Sequence, residues 1–396
     1  MIVYFAGTPY DGVAGTDRQL ADRLNALHPV LYVDPPVSLL TPLLRPHLAG
    51  AFRPGMRLRQ EPSGVWRIRP RVLPGMYRPG MHHVTAALVR RAARRTGRRV
   101  ARGAGDRVAA VVVATHTDLL DAVPGARRLL YVTDDLVAGA ELIGLPRRRL
   151  AAARDRMAAR ADTVAVVSPL LRDQFEARGI DAELLPNGCA PEAYEGIGAA
   201  PWPDDVPRFD RPAAGFAGHI NARIDLGLLE AVAGEGHPLV LIGPHDPGHH
   251  PARFRALVRR PNVCWTGRKS FAELPSYLGT IRVGLTPYLL DDFNRASFPI
   301  KTLDYLAAGR GVVSTDLPAT RWLRAFPGGR ELIRSESTPR GFLRAVGEEL
   351  AAGPAPDLVA RRREFAAGHD WSRRARSLAG LVDRDPLSCA QEEPAP

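Results

Sequence analysis

Short apolar, β-branched runs alternate along this chain with longer Ala-, Leu- and Arg-rich stretches of helical period, the pattern of a parallel α/β sheet. In the first half the runs predict strands at Ile2 to Ala6, Val30 to Asp34, Val108 to Ala114, Leu129 to Val132 and Thr163 to Ser168, with a shorter one at Ala182 to Leu185. A Pro-rich stretch, Ala200 to Pro212, follows, and the pattern restarts at Ala213 to Ala217, Leu239 to Ile242, Val263 to Thr266, Arg282 to Thr286, Val312 to Thr315 and Glu331 to Ile333. The expected fold class is α/β, with two Rossmann-like, doubly wound domains at 1–199 and 213–370, a C-terminal helix at 371–384 and a polar, disordered tail at 385–396. Such sheets bind ligands outside the carboxyl ends of their strands, so two domains facing each other would place the site in the cleft between them. Pro35 to Pro79, rich in Pro, Leu and Arg and weakly periodic, predicts an irregular insertion.

Composition changes this picture little. With 396 residues, 45% of them hydrophobic, the chain can bury two cores. No apolar run approaches the roughly 18 to 20 residues of a spanning helix. Met1 to Gly7 lacks a basic n-region and reads as a first strand, so a cytoplasmic protein is expected, with the inner face of the membrane as its one candidate surface. Cys189, Cys264 and Cys389 are odd in number and widely spaced, which predicts reduced thiols, no disulfide framework and no metal site.

The net charge of +12 is almost entirely arginine, since lysine occurs only at Lys269 and Lys301. Arg90, Arg91, Arg94, Arg95, Arg98 and Arg99 cluster on a predicted helix whose other face carries Val84, Leu88 and Val89. Two readings stay open for the cluster, a solvated helix face or a patch for an anionic membrane surface or acceptor. Nucleic acid is not expected as a partner, because no stacking aromatics interleave the basic residues.

The most informative segment is Asn294 to Pro318, NRASFPIKTLDYLAAGRGVVSTDLP. Pro299 suits the first position of a helix and Gly309 its end. Free amides near Ser297 to Lys301, at the positive end of the helix dipole, suit a diphosphate, to which Lys301 adds a point charge. Asp304 shares the Lys301 face and is placed to take ribose hydroxyls. An amphipathic helix with an exposed Lys/Asp pair is the plain alternative.

This segment resembles the donor-binding motif of GT-B glycosyltransferases, above all the retaining group called family 4. Leu185 to Cys189 (LPNGC), Gly215 to Leu229 (GFAGHINARIDLGLL), Leu239 to Pro244 (LVLIGP) and Asn262 to Leu278 (NVCWTGRKSFAELPSYL) are similar to further elements of that group. The resemblance implies a glycosyltransferase of the teichuronic-acid and exopolysaccharide kind, with a nucleoside-diphosphate sugar as co-substrate, no separate cofactor and no metal. Its acceptor would be a glycan, a lipid-linked molecule or a small molecule. The implied donor-binding residues are Gly218, His219, Arg223, Gly243, Arg295, Ser297, Lys301 and Asp304. The chain departs from the pattern where Ala296 stands in place of a glutamate and Asp304 replaces a second one, and where His219 and Asp225 fall at positions of an Arg and a Lys. Arg223 or Arg295 then takes the phosphate role, for which a planar guanidinium is suited.

In the first half, Gly12 and Gly15 of GTPYDGVAGTD permit close approach to an anionic group, and Asp34 ends the second strand where a ribose-binding acid would be. His116, in ATHTD after a strand, matches a histidine that the group places near the reacting sugar. Asp134 and Asp135 follow the next strand and are candidates for orienting acceptor hydroxyls or for base catalysis, with helix capping as the competing role. A sugar-nucleotide 2-epimerase, a nicotinamide-dependent oxidoreductase and a catalytically inactive binding or scaffold protein are the rival functions.

Overall fold

The computed structural model of this chain describes residues 1–12, 14–38, 58–76, 78, 80–353 and 355–384; the predicted tail from Asp385, with Cys389, lies outside the described residues. The chain divides into two compact units. One comprises Met1–Val167, Leu171–Leu185 and the residues from Trp371, the other Ser168–Leu170 and Pro186–Asp370. The division falls at Leu185/Pro186, ahead of the proline-rich stretch that composition singles out, because Tyr194 and Ile197 are already buried beside second-unit elements.

The first unit is built on β1 (Ile2–Phe5), β2 (Val30–Val33), β3 (Val37–Ser38), β4 (Arg59–Gln60), β5 (Trp66–Ile68), β6 (Arg71–Val72), β7 (Ala110–Val113), β8 (Arg127–Val132), β9 (Thr163–Val166) and β10 (Glu183–Leu184). Eight of these form one sheet in the order β10-β9-β8-β7-β1-β2-β5-β4, parallel except for the β4–β5 edge. β1, β2 and β7 are buried at every position, as strands covered on both faces must be. The last helix, Trp371–Asp383, belongs to this unit: Ala375, Leu378, Ala379, Leu381 and Val382 join the core that holds Leu20 and Leu24 of the helix Thr16–Leu24.

Two expectations fail here. Part of the predicted irregular insertion is ordered sheet, with β5 pairing parallel to β2 and Arg67 of β5 buried against Asp34 at the end of β2. The basic helix, Met81–Gly103, buries Thr85, Ala86, Val89, Ala93, Gly97 and Ala101, whereas Val84 is 41% exposed. The helix lies too close to the sheet for large side chains; a Cβ on Gly97 would come within 3.2 Å of Val3.

The second unit has β11 (Ala213–Ala217), β12 (Leu239–Ile242), β13 (Val263–Gly267), β14 (Ile281–Thr286), β15 (Gly311–Thr315) and β16 (Ile333–Glu336) in one wholly parallel sheet, ordered β13-β12-β11-β14-β15-β16. The last strand begins at Ile333, not Glu331. Gly328, at φ 77°, turns the chain into a short helix, Gly329–Leu332, that takes the preceding residues.

Candidate functional site

Each sheet reverses its winding beside its first strand: β1 lies between β2 and β7, and β11 between β12 and β14. The loops that leave the carboxyl ends there diverge and open a crevice, the usual ligand site of such folds. In the second unit those loops run from Ala217 after β11 and from Thr286 after β14, and they contain most of the expected donor-binding residues.

The β11 loop is fastened from two sides. Gly218 donates its amide to the Ile242 carbonyl and packs directly against Gly243, which has φ 136°; a Cβ on Gly243 would fall 2.0 Å from the Gly218 carbonyl oxygen. Farther along, Arg223 Nε donates to Asn294 Oδ1 (3.0 Å) and Asn294 Nδ2 donates back to the Arg223 carbonyl (3.0 Å). The guanidinium also lies over the rings of Phe293 (4.8 Å) and Tyr288 (5.3 Å), so Arg223 is held in place by aromatic and amide contacts. His219 is exposed beside it.

The segment after β14 forms a short helix, Asp292–Ala296, capped by Asp291, whose Oδ1 accepts from the Asn294 amide at 2.7 Å. Arg295 Nε donates to the Leu290 carbonyl (3.1 Å), and buried Ser297 spends its hydroxyl proton on the Phe293 carbonyl (3.0 Å). Side chains from elsewhere in the unit secure the turn that follows: Ser168 Oγ donates to the Ala296 carbonyl (2.5 Å) and Asn187 Nδ2 to the Phe298 carbonyl (2.8 Å). Asn187 belongs to the LPNGC element, and its role could be read from no pattern within the first half.

The next helix is Ile300–Ala307. Pro299 is its N-cap, with ψ 111°, so the helix starts one residue later than expected, and Pro299 offers no side-chain cap to the first-turn amides. Lys301 Nζ lies 3.0 Å from Asp304 Oδ2. Asp304 is only 3% exposed, and its carboxylate holds the Lys301 ammonium in place. Tyr305 anchors the helix beneath the strand ends, its hydroxyl accepting from the Ala217 amide (2.8 Å) and donating to the Leu285 carbonyl (3.2 Å). Burial raises the Tyr305 pKa and keeps that hydroxyl protonated.

In the first unit the corresponding crevice opens into a cavity of about 740 Å³ lined by Gly7, Thr8, Thr85, Arg90, His116, Asp134 and Arg149, among others. Burial, followed by the Arg149 charge, pushes the His116 pKa down, so its imidazole is neutral at neutral pH. Asp134 lines the cavity; Asp135 caps a turn, its Oδ1 accepting from the amides of Val137 and Ala138 at 3.0 Å each.

The glycine loop differs from expectation. Gly12 donates its amide to the Pro9 carbonyl in an exposed turn, and Gly15 is the N-cap of the helix Thr16–Leu24. Gly7 and Thr8 are the residues that face the cavity, and their amides donate to Asp17 Oδ2 at 2.9 and 3.0 Å. Asp17 also accepts from Thr8 Oγ1 and Tyr4 Oη, both at 2.9 Å, and burial raises its pKa against these bonds. Asp34 likewise has both oxygens occupied, by the Tyr10 amide, Arg67 and Arg69, which removes the feature that suggested a nicotinamide site.

The family described as Glycosyl transferases group 1 matches residues 220–351. TuaH of Bacillus subtilis (strain 168), a protein named as a teichuronic acid biosynthesis glycosyltransferase, is 28% identical over 232 residues; the alignment spans 57% of this chain and 58% of the length of TuaH. Among solved structures, sucrose-phosphate synthase from Thermosynechococcus elongatus matches with a TM-score of 0.74 at 18% identity, covering 98% of this chain and 99% of that one. Anabaena HepE in complex with UDP and glucose matches with a TM-score of 0.66 at 11% identity, covering 97% of this chain and 99% of that one. The chain has the GT-B fold of these solved structures, and it is similar to TuaH over 58% of that protein's length and to the group 1 glycosyltransferases over residues 220–351.

Proposed function

We propose that this protein transfers a sugar from a nucleoside-diphosphate sugar to an acceptor hydroxyl, with retention of anomeric configuration. The carrying observation is the start of the helix Ile300–Ala307, where uncapped first-turn amides and the Lys301 ammonium, oriented by Asp304, converge at the crevice beside β11 and β14. As the glycosidic bond breaks, the departing diphosphate gains charge while the anomeric carbon becomes cationic, and fixed donors at that point stabilise the transition state more than the ground state. Arg223 and Arg295 are the guanidinium partners of the diphosphate. The loops at Gly218, His219 and Gly243 border the nucleoside. His116 and Asp134 in the first-unit cavity form the acceptor side, the neutral imidazole being able to exchange a hydrogen bond with a hydroxyl.

HepE binds UDP-glucose in its solved complex, which makes UDP-sugars the first donors to try. The test is release of nucleoside diphosphate from a panel of labelled sugar nucleotides, with and without acceptors, and proton NMR of the product anomer. An inverted product would remove the retaining assignment alone; absence of both transfer and donor hydrolysis would remove the enzyme. One observation favours a donor-binding protein without transfer as the second reading: Ala296 is fully buried where the resembled group carries a glutamate.

The acceptor is proposed to be anionic or presented at an anionic surface. Arg91, Arg94, Arg95, Arg98, Arg99 and Arg102 stand exposed along the helix Met81–Gly103 with no carboxylate within 4 Å among the described residues. No described helix is long and apolar enough to cross a membrane, so attachment would be electrostatic. Binding to anionic vesicles that does not weaken with salt would contradict it.

A further inference from the structure

At the opposite end of the second sheet from the donor crevice, about five residues or roughly 15 Å along the strands, lies a cavity of about 180 Å³. It is bounded by the starts of β11 and β14 at Ala213 and Ile281, by Gly309 and Arg310 ahead of β15, and by Arg362 of the helix Pro356–Ala367. Arg282 and Arg310 line it with Arg362, and Arg363 stands beside Gly309, its Nε 3.5 Å from where a Cβ there would lie.

Internal partners account for only part of these guanidinium groups. Arg362, 5% exposed, donates from one terminal nitrogen to Glu349 (2.9 Å) and from the other, at 3.4 Å, to the Gly309 carbonyl. Arg282 donates to the Leu350 carbonyl (2.9 Å). The Nε atoms of Arg362 and Arg310 are buried without a hydrogen-bond partner among the described residues. Glu349 is the one carboxylate paired with the group, and it is shared with Arg334; Arg282, Arg310 and Arg363 have none within 4 Å among the described residues. Burial, followed by the charges of Arg363, Arg362 and Arg282, brings the Arg310 pKa down to about 10. Three like charges thus line one concave space, with the exposed Arg363 beside it and a single counter-charge, and buried guanidinium donors are left over. Unpaired buried donors and uncompensated buried charge are both unfavourable, and an oxyanion with several acceptors relieves both at once.

We propose that this cavity binds a small phosphate-class oxyanion, held by Arg310 and Arg362 with Arg282 and Arg363 around it. The anion would tie the helix Pro356–Ala367 to the C-terminal end of the helix Ile300–Ala307, whose N-terminal end carries Lys301.

The test is calorimetric titration of the full chain with orthophosphate, against chloride at matched ionic strength, on wild type, Arg310→Gln, Arg363→Gln and Lys301→Ala. Saturable binding of one phosphate is expected in wild type and in Lys301→Ala, weakened at least about tenfold in Arg310→Gln, which removes charge-assisted donors. The exposed Arg363→Gln carries the test should Arg310→Gln fail to fold. Competition with diphosphate and with glycerol phosphate tells a free phosphate from an esterified one, the tighter competitor naming the form. Binding no stronger than that of chloride would overturn the proposal. So would binding that survives both arginine variants and disappears in Lys301→Ala, since phosphate would then occupy the donor crevice.

Discussion

The two crevices share one topology and differ in what their loops do with free amides. After β1, the amides of Gly7 and Thr8 close on the carboxylate of Asp17, so an internal anion already stands where a ligand phosphate would be. Beyond β14, Pro299 opens a helix without a side-chain cap, and Lys301 adds positive charge at the same end. The comparison teaches that the fold supplies two equivalent places for an anion and that single residues, Asp17 in one and Pro299 with Lys301 in the other, decide which stays available.

Removing the cation from the second crevice has the largest expected effect. Lys301→Ala should lower turnover by about 100-fold or more, as loss of a fixed transition-state donor does; steady-state kinetics with unchanged circular dichroism checks it. In the first crevice, Asp17→Ala should act on stability, because the Gly7 and Thr8 amides and the Tyr4 hydroxyl lose their acceptor. A cost of about 2 to 3 kcal/mol in urea unfolding is expected from buried donors left unpaired. Added formate should restore part of that loss in the variant and leave wild type unchanged, which would show the vacated amides to be an anion site.

A smaller effect is expected of Tyr305→Phe, which strips the Ala217 amide of its acceptor and the Leu285 carbonyl of its donor. About 1 to 2 kcal/mol of stability should go, with a rise in KM if the helix beneath the donor shifts. The smallest effect belongs to Asp11, at the rim of the first sheet. Hydrogen bonding to Arg67 holds its carboxyl at about 2, against an ordinary value of 3.8. A depressed carboxyl contributes stability that is complete above its unfolded value and is lost as pH falls through the folded one, so the contribution should vanish between about pH 4 and pH 2. Asp11→Asn should flatten the acid limb of the stability profile, only slightly because the side chain is half exposed and screened.

Much of this arrangement could be read from the sequence where local pattern and chemistry coincide. The strands of the second sheet and six of the eight strands of the first announced themselves as β-branched or apolar runs, and the Pro299 to Gly309 helix by its end residues. Lys301 stood out as one of two lysines in an arginine-rich chain. What could not be read depends on partners distant in sequence. Asp17 looks like an ordinary first-turn acid until Gly7 and Thr8 fold back onto it. That Asp304 is buried beneath Lys301 could not be read either. Asn187 and Ser168 reach carbonyls 111 and 128 residues away. The strand at Trp66–Ile68 was hidden because its central residue is an arginine, made tolerable inside the sheet only by Asp34, Asp11 and Glu61.

The donor site at the start of the helix Ile300–Ala307 is best tested by titration of wild type and Lys301→Ala with UDP, GDP, dTDP and ADP, read as thermal stabilisation. A nucleoside diphosphate at about 100 times its dissociation constant should stabilise wild type by roughly 2.7 kcal/mol. One of the four is expected to do so, and the shift is expected largely to disappear in Lys301→Ala. Equal stabilisation of wild type and Lys301→Ala, or none by any of the four, would contradict the donor site at the start of the helix Ile300–Ala307.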